Sequence, residues 1–262
     1  MEERHPGPGQ GKLYIVGTGP GDGRHLTEAA REALAAADCL IGYRTYLELL
    51  PPELLAESDS REIISSEMMK EVERGRQALE LAARGRTVAL VSGGDPGIYA
   101  MAGLVFELAR RGHSQVTIEV VPGIAALNAC AARLGAPLMH DFAAISLSDL
   151  LTPWEVIEKR LKAAAAADFV TVIYNPKSKR RTWQIEKARE IFLEERKPDT
   201  PVGIVTAATR PDEKITLTTI AELGKAEIGM QSTVIIGNSQ SYIWHNLLIT
   251  PRGYGDKYNL AG

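Results

Sequence analysis

Three glycine-rich segments have residue types that suit a ligand-binding turn, and the first is GTGPGD at residues 17–22. Glycine lets a backbone turn sharply or approach a ligand closely. A dinucleotide-binding GxGxxG turn would need glycine at position 22, but that residue is Asp22, and Pro20 removes a backbone donor. The segment therefore counts against a nicotinamide-dependent oxidoreductase, although a plain strand-to-helix turn explains it equally well.

The second and third segments each follow a hydrophobic run. Residues 92–97 read SGGDPG, in which Gly93 and Gly94 remove side-chain bulk and Asp95 offers a carboxylate to ligand hydroxyl or amino groups. Residues 122–126 read PGIAA and place small residues where a helix is predicted to begin. An Asp-Pro-Gly turn and close helix packing explain the same residues without a ligand. Neither segment identifies a function alone.

Candidate proton-transfer groups lie in the middle of the chain. His140 and Asp141 precede a predicted strand, and Ser146, Ser148 and Asp149 follow shortly after them. Placed acids and bases move protons in many reactions, whereas a lone histidine before a strand is more often a hydrogen-bonded linker. His140, Asp141 and Ser148 are the catalytic candidates, with the identity of the acid or base left open.

Asn175 and Pro176 are followed by four basic residues, Lys177, Lys179, Arg180 and Arg181. The first three, called the basic cluster below, are the candidates for binding substrate. Cationic groups of this kind suit a substrate with carboxylate arms. The alternative is a solvated helix start.

Composition excludes several classes of protein. The 262 residues are 45% hydrophobic, and the net charge of −3 is spread over interspersed acidic and basic residues, which argues against nucleic acid as a partner. Cys39 and Cys130 lie far apart in apolar stretches and are expected to be buried thiols. The histidines lack metal-ligand spacing, so no metal site is assigned. Without a membrane-length apolar run or a signal peptide, we expect a cytoplasmic protein.

Strands and helices alternate in the first half of the chain. Each of the three glycine-rich segments is predicted to connect a strand to a helix. The strands are expected at residues 13–16, 87–91 and 116–121. The helix after the first segment is expected at residues 27–37, the helix after the second is expected to end at residue 111, and the helix after the third at residue 134. This alternation predicts a mostly parallel sheet covered by helices. Ligands of such sheets bind outside the carboxyl ends of the strands, where the three segments would gather.

A second α/β unit is predicted from about Pro137. Its strands are expected at residues 142–147, 169–174, 202–206, 215–218 and 233–236. The connection between the third and fourth of these is too short for a crossover helix, so the sheet should be mixed. Thr152 as N-cap, Pro153 at the first helical position and Glu155 at the third predict a helix start. The predicted organisation is a flexible tail over 1–11, an N-terminal α/β domain over 12–138 and a C-terminal α/β domain over 139–262.

Taken together and in this order, residues 17–22, 92–96 and 121–124 resemble the tetrapyrrole (corrin/porphyrin) methylase family over about residues 12–250. The resemblance implies two α/β domains enclosing an active-site cleft, a homodimer, and S-adenosylmethionine as cofactor, released as S-adenosylhomocysteine. The implied cofactor contacts are Pro20, Gly93, Gly94, Asp95, Ile98, Ala125, Ala126, Asn175 and Ala208. Relatives often carry a hydroxyl residue where this chain has Ala125, so a side-chain hydrogen bond would be lost there.

Within the family, HDF at 140–142, ISLSDLLTPW at 145–154 and YNPKSKR at 174–180 resemble the members that methylate C17 and contract the ring of precorrin-3B or cobalt-factor III in cobalamin biosynthesis. The resemblance implies a tetrapyrrole substrate, with or without cobalt. For methyl transfer, positioning and exclusion of water can supply much of the catalysis, whereas ring contraction also needs proton transfers. The alternatives are another corrin-precursor methyltransferase, an RNA or protein methylase of the same fold, and a non-catalytic tetrapyrrole carrier.

Overall fold

The computed structural model of the chain describes residues 11–55, 61–67 and 69–260. The fold divides into two compact units, with the division between Ala126 and Leu127. Most of the flexible tail predicted over residues 1–11 lies outside the described residues, which begin at Gly11.

The first unit contains five strands, β1 (Lys12–Gly17), β2 (Cys39–Tyr43), β3 (Glu62–Ser66), β4 (Thr87–Ser92) and β5 (Thr117–Val121). They form one sheet in the order β3-β2-β4-β1-β5, and every pairing is parallel. The predicted mostly parallel sheet is confirmed. All five strands therefore end at the same edge of the sheet.

The helices of this unit are α1 (Glu28–Ala36), α2 (Arg44–Glu48), α3 (Pro52–Leu55), α4 (Glu71–Ala83) and α5 (Met101–Arg111), and α6 (Ala126–Leu134) begins at its end. Side chains of a strand alternate between the two faces of a sheet. Leu13 and Ile15 accordingly pack in one core with α4 and α5, and Val16 packs in another core with α1. The side chain of Thr27 caps α1 by accepting a hydrogen bond from the Ala30 amide at 3.2 Å.

The second unit contains the strands β6 (Gly135–Ala136), β7 (Phe142–Ser146), β8 (Val170–Tyr174), β9 (Pro201–Thr206), β10 (Lys214–Thr219), β11 (Ser232–Ile236), β12 (Tyr242–Trp244) and β13 (Leu247–Ile249). Its helices are α7 (Trp154–Ala166), α8 (Gln184–Glu195) and α9 (Tyr254–Lys257). The main sheet has the order β10-β9-β11-β8-β7, with β7 and β8 parallel and the other pairs antiparallel, which confirms a mixed sheet. A small sheet has the order β12-β13-β6.

The predicted start of α7 is wrong by one residue. The helix begins at Trp154, the N-cap position is Pro153, and no side chain caps it. Pro153 has φ −56° and ψ 143°, an extended conformation that places Thr152 outside the helix.

The division between the units falls before the boundary predicted after residue 138. The end of α6 and the residues after it explain the difference. Leu134, the last residue of α6, contacts β9 at Gly203 so closely that a Cβ on Gly203 would lie 2.6 Å from Leu134 Cδ2. Directly after α6, Gly135 and Ala136 pair with Leu248 and Ile249 of β13. The residues following Ala126 thus belong structurally with the second sheet.

Cys39 and Cys130 are buried and unpaired, as expected. Burial raises the pKa of each thiol to about 11, because the thiolate would lose its hydration. Among the described residues, the helices are all too short or too polar to cross a membrane.

Candidate functional site

The three glycine-rich segments lie side by side at the carboxyl edge of the first sheet, because they follow the adjacent strands β4, β1 and β5. We call residues 17–22 loop 1, residues 92–97 loop 2 and residues 122–126 loop 3. Backbone hydrogen bonds join loops 1 and 2, from Thr18 N to Ser92 O at 2.9 Å, from Gly19 N to Gly94 O at 3.1 Å and from Gly94 N to Gly19 O at 2.8 Å. The loops therefore form one hydrogen-bonded cluster.

The glycines of this cluster are required by the neighbouring loops. A Cβ on Gly17 would lie 2.6 Å from Gly123 N and 2.7 Å from Gly94 O, and a Cβ on Gly123 would collide with the same Gly94 oxygen. Gly19 and Gly94 have φ of +72° and +67°, in the left-handed region that glycine occupies without strain. Close approach of backbone to backbone explains these residues before any ligand is considered.

Asp95 connects loop 2 to loop 3 by hydrogen bonds. Its Oδ1 accepts a hydrogen bond from Gly97 N at 2.8 Å, and its Oδ2 accepts one from Gly123 N at 3.2 Å. Each carboxylate oxygen has a further lone pair available to a ligand donor. The sequence anticipated an acceptor for ligand groups, and the geometry adds a positioning role between the loops.

Asp22, the residue that breaks the dinucleotide pattern, also has a local partner. Its carboxylate accepts hydrogen bonds from the Arg24 amide at 2.9 Å and from the Arg24 guanidinium at 2.6 and 2.8 Å. The guanidinium lowers the pKa of Asp22 to about 2. Asp22 thus ends loop 1 as the cap of a short 3-10 turn at residues 23–25.

The cofactor residues predicted in the first unit are brought together by these loops. Gly93 lies against the ring of Tyr46, since a Cβ at that position would be 2.6 Å from Cε1. Pro20 and Ala125 are buried, and Ala126 and Ile98, which directly follows loop 2, are half-buried. Tyr46 packs against loop 2, a contact that no sequence motif indicated because Tyr46 lies outside the three glycine-rich segments.

Asn175 lies at the carboxyl end of β8 in a left-handed conformation, with φ +49°. Its Nδ2 donates to Ser146 Oγ at 2.9 Å, and its carbonyl accepts from Arg181 Nη2 at 2.9 Å. Ser146 ends β7, which runs parallel to β8, so both strands present polar groups at one edge. Positive φ in a residue other than glycine is costly and often marks a functional turn.

The segment containing Ala208 has the same backbone feature. It follows β9, which points the same way as β8 because both are antiparallel to β11. Its neighbours Ala207 and Thr209 have φ of +50° and +67°. The carboxyl edge of the second sheet therefore carries three strained residues, including Asn175, which the sequence did not reveal.

Glu213 fixes this turn. It accepts a hydrogen bond from Thr209 N at 2.6 Å and from Arg133 Nε at 2.7 and 2.9 Å. The hydrogen bonds from the Arg133 guanidinium, and secondarily that from Thr209 N, lower the pKa of the Glu213 carboxyl. Glu213 is a positioning residue that no sequence motif indicated.

The catalytic candidates do not lie together. His140 and Asp141 precede β7, where Phe142 pairs with Val170, whereas Ser148 follows the other end of that strand. Five strand residues separate the two groups by roughly 16 Å. His140 is half-exposed and accepts a hydrogen bond at Nδ1 from Asp141 N at 2.8 Å, which places the proton of the neutral ring on Nε2.

The basic cluster lies on the segment between β8 and α8. Lys179 and Arg180 are exposed and Lys177 is half-buried. Ser178 shapes the segment, because its Oγ accepts from Arg181 N at 3.0 Å. The three predicted cations thus follow Asn175 at the carboxyl edge, while Arg181 is held by the Asn175 carbonyl.

The chain is also similar to known proteins. Residues 12–224 match the tetrapyrrole (corrin/porphyrin) methylase family. The chain is 51% identical over 255 residues to a cobalt-factor III methyltransferase of Priestia megaterium, covering 96% of this chain and 46% of that protein. It is 46% identical over 242 residues to a probable cobalt-factor III C(17)-methyltransferase of Salmonella typhimurium, covering 92% and 99%. The chain thus spans about half of the first relative and nearly all of the second.

Solved structures are similar as well. The crystal structure of the methyltransferase CobJ matches with a TM-score of 0.85 and 36% identity, covering 92% of this chain and all of that one. A uroporphyrin-III C-methyl transferase from Thermus thermophilus, complexed with S-adenyl homocysteine, matches with a TM-score of 0.64 and 27% identity over 87% of this chain and 92% of that one. Its loops, its two α/β units and these matches together show that the chain belongs to the tetrapyrrole (corrin/porphyrin) methylase family.

Proposed function

We propose that this chain transfers a methyl group from S-adenosylmethionine to C17 of precorrin-3B or cobalt-factor III, with contraction of the macrocycle, in cobalamin biosynthesis. The observation that carries the proposal is the 46% identity to the Salmonella typhimurium relative over 99% of that protein. The match to CobJ over its whole length supports the same assignment.

The first unit fits the methyl donor. Loops 1–3 combine small residues, among them Gly93, Gly94, Ala125 and Ala126, with a backbone held by hydrogen bonds between the loops. Pro20, Asp95 and Ile98 complete the contacts proposed in this unit. The family resemblance adds Asn175 and Ala208 as proposed contacts in the second unit. S-adenosylmethionine supplies an electrophilic methyl group when bound. The chain's contribution is to hold the loops rigidly, so that orientation costs little at the moment of reaction.

For ring contraction, Ser148 is the better placed of the catalytic candidates, because it follows β7 at the edge that carries Asn175. Its amide donates to Ser146 Oγ at 3.2 Å. We propose Ser148 as a group that holds or moves a proton, and His140 with Asp141 as a hydrogen-bonded pair outside that step. Retained contraction in His140→Ala combined with loss of contraction in Ser148→Ala would support this order. The reverse pattern would reject it.

The substrate's carboxylate arms are proposed to meet Lys177, Lys179 and Arg180. Lys179 and Arg180 are exposed and Lys177 is half-buried, whereas the guanidinium of Arg181 donates to the Asn175 carbonyl. Charge reversal at Lys179 and Arg180 should weaken binding of the macrocycle without affecting S-adenosylhomocysteine. Unchanged affinity for the macrocycle would remove this part of the proposal.

The decisive experiment is anaerobic incubation with labelled S-adenosylmethionine and, separately, precorrin-3B and cobalt-factor III, followed by mass spectrometry and optical spectra. A methylated, ring-contracted product from one substrate supports the proposal and identifies the metal state of the substrate. If S-adenosylhomocysteine binds but neither macrocycle is methylated, another corrin-precursor methyltransferase becomes the better candidate. A solved cobalt precorrin-4 methyltransferase, with a TM-score of 0.69 and 29% identity, makes that the second choice. A homodimer is proposed from the family resemblance, and sedimentation velocity tests its size.

A further inference from the structure

The segment between β7 and α7 carries two of the most exposed large apolar side chains among the described residues. We call residues 147–153 the leucine loop. Leu150 is 67% exposed and Leu151 is 92% exposed, whereas Leu147 at the start of the loop is completely buried. Trp154, directly after the loop, packs against the core of the second unit. The two leucines are therefore presented between well-packed ends.

The base of the loop is held by three hydrogen bonds. Leu147 N donates to Tyr174 O at 2.9 Å, and Ser148 N donates to Ser146 Oγ at 3.2 Å. Gln184 Nε2, on a side chain that is only 3% exposed, donates to Asp149 Oδ2 at 2.8 Å. A single exposed leucine needs no explanation, but adjacent leucines on an anchored tip form an apolar surface that favours a contact.

The same bond from Gln184 connects the leucine loop to the start of α8, the helix that follows the basic cluster along the chain. Gln184 begins α8, and Lys177, Lys179 and Arg180 lie on the segment leading into that helix. The loop also starts beside Ser146, whose hydroxyl accepts from Asn175. Apolar and cationic groups are thus combined at the carboxyl edge of one sheet.

We infer that the leucine loop is a substrate-contacting element, in which Leu150 and Leu151 pack on the apolar face of the tetrapyrrole while the basic cluster receives its carboxylates. This inference rests on the proposed function. A macrocycle with an apolar face and acidic arms at its rim matches an apolar tip beside cations, since each surface is complementary to one part of the ligand. A second copy of the chain would cover the leucines but would not use the cations in this way.

The test uses the full chain and the variants L150S, L151S and the double variant, with L260S as the matched control because Leu260 is also a leucine that is 70% exposed. Binding of cobalt-factor III and of precorrin-3B is measured anaerobically by absorbance titration, apart from turnover. We expect the Kd of the accepted macrocycle to rise about tenfold in L151S, or about 1.4 kcal/mol, and further in the double variant. The Kd of S-adenosylhomocysteine and the melting temperature should stay at the values of the wild-type chain and of L260S.

Each other outcome overturns the inference in a recognisable way. If the wild-type chain methylates a macrocycle and the double variant keeps its Kd and KM, the leucine loop does not contact substrate, and the proposed function stands. If the wild-type chain binds neither macrocycle, the proposed function fails and the inference fails with it. If the double variant alters the sedimentation coefficient but not the affinity for the macrocycle, the leucines form an interface between copies of the chain.

Discussion

Substituting alanine for Gly17 tests whether the three loops act as one rigid cluster. The new Cβ would lie 2.6 Å from Gly123 N and 2.7 Å from Gly94 O, whereas ordinary van der Waals contact begins at about 3.4 Å. Loop 3 would have to move by about 0.8 Å, the difference between 3.4 and 2.6 Å, and loop 2 by about 0.7 Å, the difference between 3.4 and 2.7 Å. If loop 2 took up its movement, the 2.8 Å bond from Gly94 N to Gly19 O would stretch to about 3.5 Å, outside the normal range of about 2.7–3.2 Å.

The free energy of this strain can be worked out in order of magnitude. Overpacking a tight site costs about 1–3 kcal/mol, and each lost hydrogen bond adds about 1 kcal/mol. G17A should therefore lose about 2–4 kcal/mol, divided between two measurements. If the loops keep their positions in the folded chain, the strain lowers the free energy of unfolding. If the loops open to relieve the strain, the Kd of S-adenosylhomocysteine rises tenfold for each ~1.4 kcal/mol needed to close them again.

Urea denaturation and isothermal titration calorimetry together measure both parts. The control is G103A, because no heavy atom lies within 4 Å of a Cβ at Gly103, inside α5. G103A should gain about 0.5–1 kcal/mol of stability, since alanine is the better helix former, and should keep the Kd unchanged. If G17A matches the wild-type chain in both measurements, the loops do not constrain one another as described.

The remaining predictions concern titration and backbone strain. Because burial raises the pKa of Cys39 and Cys130 from 9.0 to about 11, Ellman's reagent at pH 8 should modify them at least about 100-fold more slowly than in the urea-unfolded chain, and equal rates would contradict this. The same raised pKa values lower the stability as the pH rises from 9 to 11. The hydrogen bonds from Arg133 lower the pKa of Glu213 below 4.5. Their contribution to the free energy of unfolding is therefore present above pH 4.5 and is lost as the pH falls through the folded-state pKa. Glu213→Gln should lower the free energy of unfolding, measured in urea, by about 1–3 kcal/mol at pH 7 and by less in acid. Asn175→Ala should lose about 1–2 kcal/mol more than Asn175→Gly, since glycine alone removes the strain of φ +49°, and equal melting curves would refute this.

The architecture was largely predictable because hydrophobic runs and turn residues are local signals. The strands that support loops 1–3 were predicted within a residue or two, and the short connection between β9 and β10 predicted the mixed sheet. The small sheet was not predicted, since β12 and β13 have three residues each and β6 has two, too few for a periodic pattern. Such short strands form because they pair with segments that are distant in sequence, as β13 does with β6.

The candidate site was predictable only in part, because contacts between distant residues leave no local pattern. The sequence identified Asp95 as an acceptor, but not that the Gly123 amide is one of its donors. Neither Tyr46 against Gly93 nor Glu213 beneath Thr209 belongs to a motif. His140 and Ser148 are close in sequence, yet they lie at opposite ends of β7, because an extended strand separates its ends by its full length.

The mutual contact of Gly17, Gly94 and Gly123 has a consequence for how such a protein can be redesigned. A larger residue at Gly17 or Gly123 would displace the neighbouring loops, so loops 1–3 offer few independent changes. The leucine loop is different, because Leu150 and Leu151 are exposed and the hydrogen bonds that hold its base are made by other residues. We therefore expect a library that varies the tip to alter acceptor choice while the affinity for the methyl donor persists, which makes this short segment the economical target for new methylation specificities.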